Sequence, residues 1–455
     1  MAPVDSRAPP ARASRPSRPS APEVHGRAAL YRPRRPERTS FYTFLDAHFE
    51  DYVRVHPICF EPRHGVLRRV VARAVESYLD CGRHMGGFAR LRCASCRSEH
   101  LLAFSCQTRN FCPSCQAKRA ALLGEFLAEV VLLPVRHRHV VFTVPKALRG
   151  LFERERRLLG ILARSAHDAT RGWMKQALEL SRALPGMVSS IQTFGSYGNW
   201  HPHVHALLTD GLVEPGGRFH ALGAFDEAAV QRRFRRLVLD RLRRAERLSE
   251  SFHERLLSWE HSGFSVHAGE AIPPQEAESL ERLARYMTRA PVALSKVFPQ
   301  KDGRVKLLTP RDPKTGQDSR LFDPLDWVHA ITTQIPDPRQ HMVRYQGAYA
   351  NRVRRLYRAQ ERTEVGEQRG AGEEPRRASE PEADDVPEWV TQRRRSWARL
   401  LRRIYEVDPL VCPRCGEEMK VVAVITDPVV VDRILAHRRE KKIESPFEPR
   451  APPRE

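Results

Sequence analysis

The sequence lacks any apolar run that could cross a membrane: a span needs about 18–20 residues, and a run such as residues 130–133, which ends at Pro134, falls far short of that length. Its first residues have no apolar core, which argues against a secretory signal, and their prolines oppose the amphipathic helix of a transit peptide. The nine cysteines are few and odd in number, which argues against a disulfide scaffold. Lysine is also scarce, since it supplies only ten of the 77 basic residues.

Arginine supplies the remaining positive charge, and it gives this 455-residue chain a net charge of +22 and a pI near 10.1. The planar guanidinium group matches the oxygens of a phosphate. A basic excess of this size predicts a polyanionic partner, most simply DNA. Hydrophobic residues make up 41 %, which is enough for packed cores.

Shifts in composition divide the chain into six segments. We predict a disordered basic arm (1–40), a helical and zinc-binding domain that binds DNA (41–132), a domain of mixed strands and helices (133–360), an acidic linker (361–388), a C-terminal Cys-x-x-Cys module (389–440) and a tail (441–455).

Two Cys-x-x-Cys pairs lie fifteen residues apart in the second segment. Each such turn presents two thiolates on one side, and two turns can complete a tetrahedron around Zn²⁺. The spacing fits a four-cysteine zinc site. We therefore predict structural zinc on Cys93, Cys96, Cys112 and Cys115.

Four cysteines outside this predicted site have less certain roles. Cys81 and Cys106 lie near it, and they either hold a second zinc or are buried thiols. Cys412 and Cys415 form a single Cys-x-x-Cys turn, which needs two further ligands to bind zinc. Arginines around the cluster favour a module that contacts the DNA backbone.

Three alternating histidines stand in a strand-like run that follows turn residues. Alternate side chains of a strand share one face, so His203 and His205 point together and can bind one divalent ion. His201 has the same parity, but Pro202 separates it from the pair. We expect His201 to contact a DNA phosphate or to support the ligands. The alternatives are a structural zinc site or a solvent-exposed, histidine-rich hairpin.

A third ligand is expected from a neighbouring strand. If residues 187–194 pair antiparallel with residues 203–208, Gln192 lies near His205 and becomes the candidate; His137 and His139 are alternatives. Imidazole and amide donors with open coordination positions suit Mg²⁺ or Mn²⁺ bridging to a phosphate.

A predicted helix at residues 275–288 carries the candidate nucleophile, Tyr286, beside its apolar face. A phenol is a weak nucleophile at neutral pH, and nearby cations favour its reactive phenolate form. Three arginines flank this tyrosine and could hold the scissile phosphate: Arg282, Arg285 and Arg289. Tyr345 and Tyr349 form a rival pair.

Taken together, these motifs resemble those of HUH-type rolling-circle transposases of bacterial insertion sequences, namely the insertion-sequence ninety-one (IS91) family and its common-region relatives. Four segments carry the resemblance: the cysteines from Cys81 to Cys115, His203-Val204-His205, Arg285-Tyr286-Met287-Thr288-Arg289-Ala290-Pro291, and Asp408-Pro409-Leu410-Val411-Cys412-Pro413-Arg414-Cys415-Gly416.

The resemblance implies an α+β fold, in which an N-terminal helical and zinc-knuckle module precedes a central antiparallel sheet flanked by helices and a small C-terminal zinc-ribbon-like module. It implies a transposase in the bacterial cytoplasm that cleaves and rejoins single-stranded DNA through a 5′-phosphotyrosine bond, with structural zinc and catalytic Mg²⁺ or Mn²⁺. Residues 133–360 would be its catalytic domain.

The chain departs from the family pattern in two ways. Some members carry two tyrosines four residues apart, whereas Arg282 and Ala290 occupy those positions here. A second strand would then be cut by Tyr345, by a second subunit of a homodimer or by Tyr286 used again. Members often place histidine before the third knuckle, where this chain has Phe111.

Two other functions fit part of the sequence. A non-catalytic, zinc-dependent DNA-binding regulator would explain the charge and the cysteines, but it leaves the histidine strand without a role. A metal-dependent hydrolase that activates water would use the histidines and not Tyr286.

Overall fold

A computed structural model describes residues 29–30, 36–260, 262–313, 315–354, 407–408 and 410–441. Its described part has the predicted α+β class, with helices around antiparallel sheets. The acidic linker and most of the tail lie outside the described residues, as does most of the basic arm.

Helices dominate the first part of the chain and enclose a small sheet. The elements are strand β1 (Ala29–Leu30), helices α1 (Ser40–Cys59), α2 (Glu61–His64) and α3 (Arg69–Leu79), strands β2 (Phe88–Cys93) and β3 (Glu99–Ala103), and helix α4 (Pro113–Phe126). Thr39 caps α1, because its side chain accepts a hydrogen bond from the Tyr42 amide. The aromatic residues of α1 and α3 share one core with two of the cysteines near α4.

The central domain is built on a five-stranded sheet in the order β13-β5-β6-β4-β9, and all its pairings are antiparallel. The strands are β4 (His137–Thr143), β5 (Gly186–Phe194), β6 (Trp200–Thr209), β9 (Ser265–Ile272) and β13 (Val343–Gly347). The predicted antiparallel pairing of β5 with β6 is confirmed. The turn between them uses Gly198 at φ +68°, a conformation that glycine adopts without strain.

Side chains on β6 alternate between two environments. Val204, Ala206 and Leu208 face the main core, where they pack with α5 (Lys146–Arg154), α6 (Leu159–Ala177) and α7 (Glu227–Arg244). His203 and His205 therefore point to the opposite face. The predicted single helix at residues 148–184 is in fact two, because the chain turns at residues 155–158.

The remaining elements cover the ends and the histidine face of this sheet. They are β7 (Gly211–Val213), β8 (Phe219–Ala221), α8 (Glu250–Ser258), α9 (Ala277–Met287), β10 (Val297–Pro299), β11 (Val305–Leu308), β12 (Ser319–Phe322) and α10 (Pro324–Thr332). Helix α9 packs on the histidine face, where Leu280 and Met287 contact Leu207 of β6.

The C-terminal part comprises β14 (Val407–Asp408), β15 (Met419–Ile425) and α11 (Pro428–Glu440). Strand β15 pairs antiparallel with β2, so the predicted C-terminal module shares a sheet, in the order β15-β2-β3, with the N-terminal domain. Within the predicted disordered arm, β1 forms a short parallel pair with β14. Both pairings bring residues near the two ends of the chain together.

Among the described helices, none combines the length and the apolar character that a membrane crossing requires.

Candidate active site and cysteine clusters

Two imidazoles on β6 face each other in the centre of the sheet. The Nε2 atoms of His203 and His205 lie 3.1 Å apart. The Nδ1 of His203 lies 2.7 Å from the carbonyl oxygen of His201. A carbonyl only accepts hydrogen bonds, so Nδ1 carries the proton and Nε2 presents its lone pair toward His205. This is the tautomer that a metal-binding histidine requires.

His139 on β4 supports the second imidazole. Its Nε2 lies 2.9 Å from Nδ1 of His205, and the two rings stack with centroids 5.1 Å apart. When Nδ1 of His205 donates to His139, both Nε2 lone pairs point at each other, an arrangement that a shared cation stabilises. The structure therefore brings His139 to this site as a support for His205.

Gln192 reaches the same face from β5. It lies directly across from His203, and Ser190 is the residue opposite His205. The sequence placed Gln192 near His205, and the register puts it two residues further along β6, across from His203. An offset of two residues preserves the face, so Gln192 lies on the same face as both histidines.

The amide of Gln192 is held in one orientation. Its Nε2 donates to the carbonyl oxygen of Met287 at 2.8 Å, whereas its Oε1 is buried and has no hydrogen-bond partner among the described residues. A buried acceptor without a partner is unfavourable. One oxygen and two imidazole nitrogens on one face fit a divalent cation with open positions.

Burial keeps these histidines neutral. Removal from water lowers the pKa of His203 to about 4 and that of His205 to about 2, and the Arg289 guanidinium adds to both effects. Burial also lowers the pKa of His139 to about 4. A neutral imidazole keeps the lone pair that a metal needs, so the ligands are ready at neutral pH.

Tyr286 lies beside these histidines at the C-terminal end of α9. Its ring meets the His205 ring edge-on, with centroids 5.6 Å apart, and the His139 ring at 6.4 Å. The guanidinium of Arg289 lies 4.3 Å from the centre of the phenol ring. The side chain of Tyr286 is 43 % exposed, so a substrate can reach it from solvent.

The other predicted phosphate-binding residues differ in how free their side chains are to bind a phosphate. Arg285 forms an ion pair with Glu281, and Arg282 donates to Ser279, so both are held along α9. The ring of His201 lies 5.1 Å from that of His203, and its Nε2 is buried with no partner in the described part of the chain. Arg289 is the arginine that the structure brings to the phenol.

The position of α9 depends on the N-terminal domain. Helix α4 packs along α9 so closely that a Cβ on Gly124 would lie 3.1 Å from three atoms of α9. Gln116 of α4 donates to the carbonyl oxygen of Thr288 at 2.6 Å, just beyond Tyr286. The helix that carries cysteine ligands at its start therefore helps to position the candidate nucleophile.

The rival tyrosines have different surroundings. Tyr349 is only 1 % exposed, and its hydroxyl contacts His137 Nε2 at 2.5 Å and accepts from the Leu133 amide. Burial raises the pKa of both Tyr345 and Tyr349. His137, which the sequence offered as an alternative metal ligand, therefore uses its Nε2 in the contact with Tyr349.

We expect Tyr349→Phe to lower the free energy of unfolding by about 1–3 kcal/mol, because it leaves buried donors and acceptors without a partner. Chemical denaturation followed by circular dichroism measures this effect, and Tyr345→Phe, at a half-buried site, is the control. A Tyr349→Phe protein as stable as the parent would contradict this structural role.

The cysteines form two groups of four, and in each group the four sulfur atoms lie within 4.8 Å of one another. The first group is Cys81, Cys106, Cys112 and Cys115. Three of its measured sulfur–sulfur distances are 3.6–3.8 Å. Tetrahedral zinc with Zn–S bonds of about 2.3 Å holds its sulfurs about 3.8 Å apart.

The second group joins distant parts of the sequence and comprises Cys93, Cys96, Cys412 and Cys415. The sequence predicted one site on Cys93, Cys96, Cys112 and Cys115, and the structure divides this set between the two groups. Two Cys-x-x-Cys turns near each other in sequence need not share an ion, because the β2–β3 hairpin directs Cys93 and Cys96 toward the C-terminal segment. Both groups support structural zinc.

One further cluster was not predicted from the sequence. Nδ1 of His64 lies 2.9 Å from a carboxylate oxygen of Glu153, which is also 3.8 Å from Nε2 of His329. These residues come from α2, α5 and α10 and have no shared motif, so no spacing signal could have revealed them.

Two regions of the chain match known family models. Residues 46–144 match the family described as "Transposase zinc-binding domain", of IS91 type, and residues 186–356 match the family described as "Putative transposase". These ranges contain, respectively, the first cysteine group and the Gln192–His203–Tyr286 site.

Two curated relatives match most of the described chain. The "Transposase for insertion sequence element IS801" of Pseudomonas savastanoi pv. phaseolicola is 28 % identical over 305 residues, which are 64 % of this chain and 72 % of the relative. "Putative transposase y4qJ" of Sinorhizobium fredii is 26 % identical over 296 residues, 60 % of this chain and 73 % of the relative. No solved structure matches significantly. The chain thus contains, in this order, a region similar to the IS91-type transposase zinc-binding domain and a region similar to the putative transposase family, and it is similar to a relative described as the transposase of an insertion sequence.

Proposed function

We propose that the chain is a DNA transposase that cleaves and rejoins single-stranded DNA through a covalent bond between Tyr286 and a 5′ phosphate. The observation that carries this proposal is the contact of the exposed Tyr286 ring with His205, beneath the guanidinium of Arg289. A nucleophile, a pair of neutral imidazoles and a guanidinium cation meet there, between α9 and one face of the sheet.

The proposed reaction is a transesterification in two steps. The phenolate oxygen of Tyr286 attacks the phosphorus, a new P–O bond forms, and the bond to the 3′ oxygen breaks. That oxygen takes a proton and leaves as a 3′ hydroxyl, while the 5′ phosphate stays on the tyrosine. A second 3′ hydroxyl then attacks the phosphotyrosine and releases Tyr286, so no external energy source is consumed.

The residues of this chain have separate roles in that scheme. Arg289 lies over the phenol, where its charge favours a phosphate held beside the tyrosine. His203, His205 and Gln192 would hold Mg²⁺ or Mn²⁺, with His139 fixing the orientation of His205. A divalent cation bound there polarises the non-bridging phosphate oxygens.

A direct assay tests the proposal. Purified protein with Mn²⁺ and labelled single-stranded DNA from an element end should yield a protein–DNA adduct that survives denaturation, together with a fragment bearing a free 3′ hydroxyl. A fully base-paired end and a chelator-treated sample serve as controls. DNA binding without cleavage would support the regulator, and cleavage without an adduct would support the hydrolase; either result would overturn the proposal.

A further inference from the structure

We propose that Zn²⁺ bound by Cys93, Cys96, Cys412 and Cys415 holds the C-terminal segment, residues 410–441, on the N-terminal domain. The match to the zinc-binding domain family ends at residue 144 and so contains only half of these ligands. The site does not depend on the chemistry of Tyr286, and neither end of the chain can form it alone.

The geometry of the four sulfurs fits a tetrahedral zinc ion. Cys93 lies 3.5 Å from Cys415, and Cys96 lies 3.5 Å from Cys412, so each contact crosses between the two ends of the chain. These distances are close to the spacing of about 3.8 Å that zinc imposes on thiolates. A zinc site built from two knuckles takes two cysteines from each knuckle, as this site does.

The two knuckles have the same local construction. In the first, the amide of Cys93 donates to the Ser98 carbonyl at 2.9 Å; in the second, the amide of Cys412 donates to the Glu417 carbonyl at 2.7 Å. In each turn the acceptor lies five residues after the donor. The two knuckles therefore share one backbone conformation, and their sulfurs contact each other in the pairs described above.

Strand pairing brings the knuckles into register. Met419 of β15 lies directly across from Cys93 of β2, and the pairing continues to Ile425 opposite Phe88. A small cluster beneath the sulfurs contains Leu91, Cys93, Cys412 and Met419. The C-terminal pair is thus placed over the N-terminal pair by backbone hydrogen bonds.

Apolar burial alone gives this docking little support. On β15, Met419 is buried, but Val421, Val422 and Val424 are 48 %, 51 % and 66 % exposed. In α11, Val431 is the buried residue, whereas Val429 is 66 % exposed. A segment of about 30 residues with so small a core ordinarily needs a metal or a disulfide to hold its structure. The four thiols supply the metal site.

The zinc content of paired cysteine variants tests whether these four cysteines share one zinc ion. Cys412→Ser/Cys415→Ser and Cys93→Ser/Cys96→Ser should each lose one zinc per chain relative to the parent protein, and the quadruple variant should also lose only one. Cys59→Ser, an exposed cysteine outside both groups, should lose none. Loss of two ions in the quadruple variant, or of none in either pair, would overturn the shared site.

A cleavage experiment tests the mechanical role. A protease site inserted within residues 361–388 of the full chain allows the C-terminal segment to be cut away after folding. With zinc bound, the fragment should co-elute with the rest in size-exclusion chromatography, and a chelator should release it. A fragment that separates while zinc is bound, or one that remains after the zinc of this site is removed, would contradict the proposal.

Discussion

Tyr286→Phe should abolish the covalent protein–DNA adduct and lower strand cleavage by at least about 1,000-fold, because the change removes the one oxygen that attacks phosphorus. The ring contacts with His205 and His139 use the face and edge of the aromatic ring, so phenylalanine can preserve them. The Tyr286 residue is 43 % exposed, so the change removes no buried side chain. The variant should therefore fold and bind DNA as the parent does.

Denaturing gel electrophoresis of labelled single-stranded DNA measures both the adduct and the cleaved product. Tyr345→Phe is the matched control, since Tyr345 lies on the edge strand β13 and should leave the adduct unchanged. An adduct that survives in Tyr286→Phe and disappears in Tyr345→Phe would assign the nucleophile to β13. Full cleavage with no adduct in the parent protein would instead indicate attack by water.

His205→Ala should lower cleavage by at least about 100-fold at a fixed Mn²⁺ concentration. Loss of the partners that merely orient metal ligands costs 10–100-fold in affinity or activity, and loss of a ligand should cost more. Because His205 also touches Tyr286, the same change removes one wall of the site. His203→Ala should give a similar loss, and Gln192→Ala should raise the Mn²⁺ concentration needed for half-maximal cleavage.

His267→Ala is the control for these variants. His267 lies on the edge strand β9 with its side chain 78 % exposed, so its loss should change neither cleavage nor the dependence on metal. Isothermal titration with Mn²⁺ gives a readout that is independent of activity. If His205→Ala bound Mn²⁺ and cleaved DNA as the parent does, the histidine pair would have no role in the reaction.

Local periodicity predicted part of the arrangement. The alternation of a strand placed His203 and His205 on one face, and the helical pattern placed Tyr286 beside the apolar face of α9. The exact register of β5 against β6 could not be predicted, since a single sequence does not specify it. The prediction of Gln192 as a ligand stays a prediction, although its face is correct.

Long-range assembly was harder to anticipate. Spacing indicated that Cys93, Cys96, Cys112 and Cys115 bind zinc, but spacing alone cannot say which pairs meet. The partners of Cys93 and Cys96 lie more than 300 residues away, and they meet through the β15–β2 pairing. Similarly, the ring of His139 joins the site only because β4 pairs with β6, which a single sequence does not reveal.

The contact of α4 with α9 limits how the two domains can be exchanged between related proteins. Gly124 allows the backbones to approach, and Gln116 bonds to Thr288, so the two helices fit as a matched pair although they lie in different domains. A chimaera that takes its first domain from one parent and its second domain from another would combine an α4 and an α9 whose contact residues do not match. Exchanging α4 and α9 together should preserve function in such hybrids better than a cut at the domain boundary.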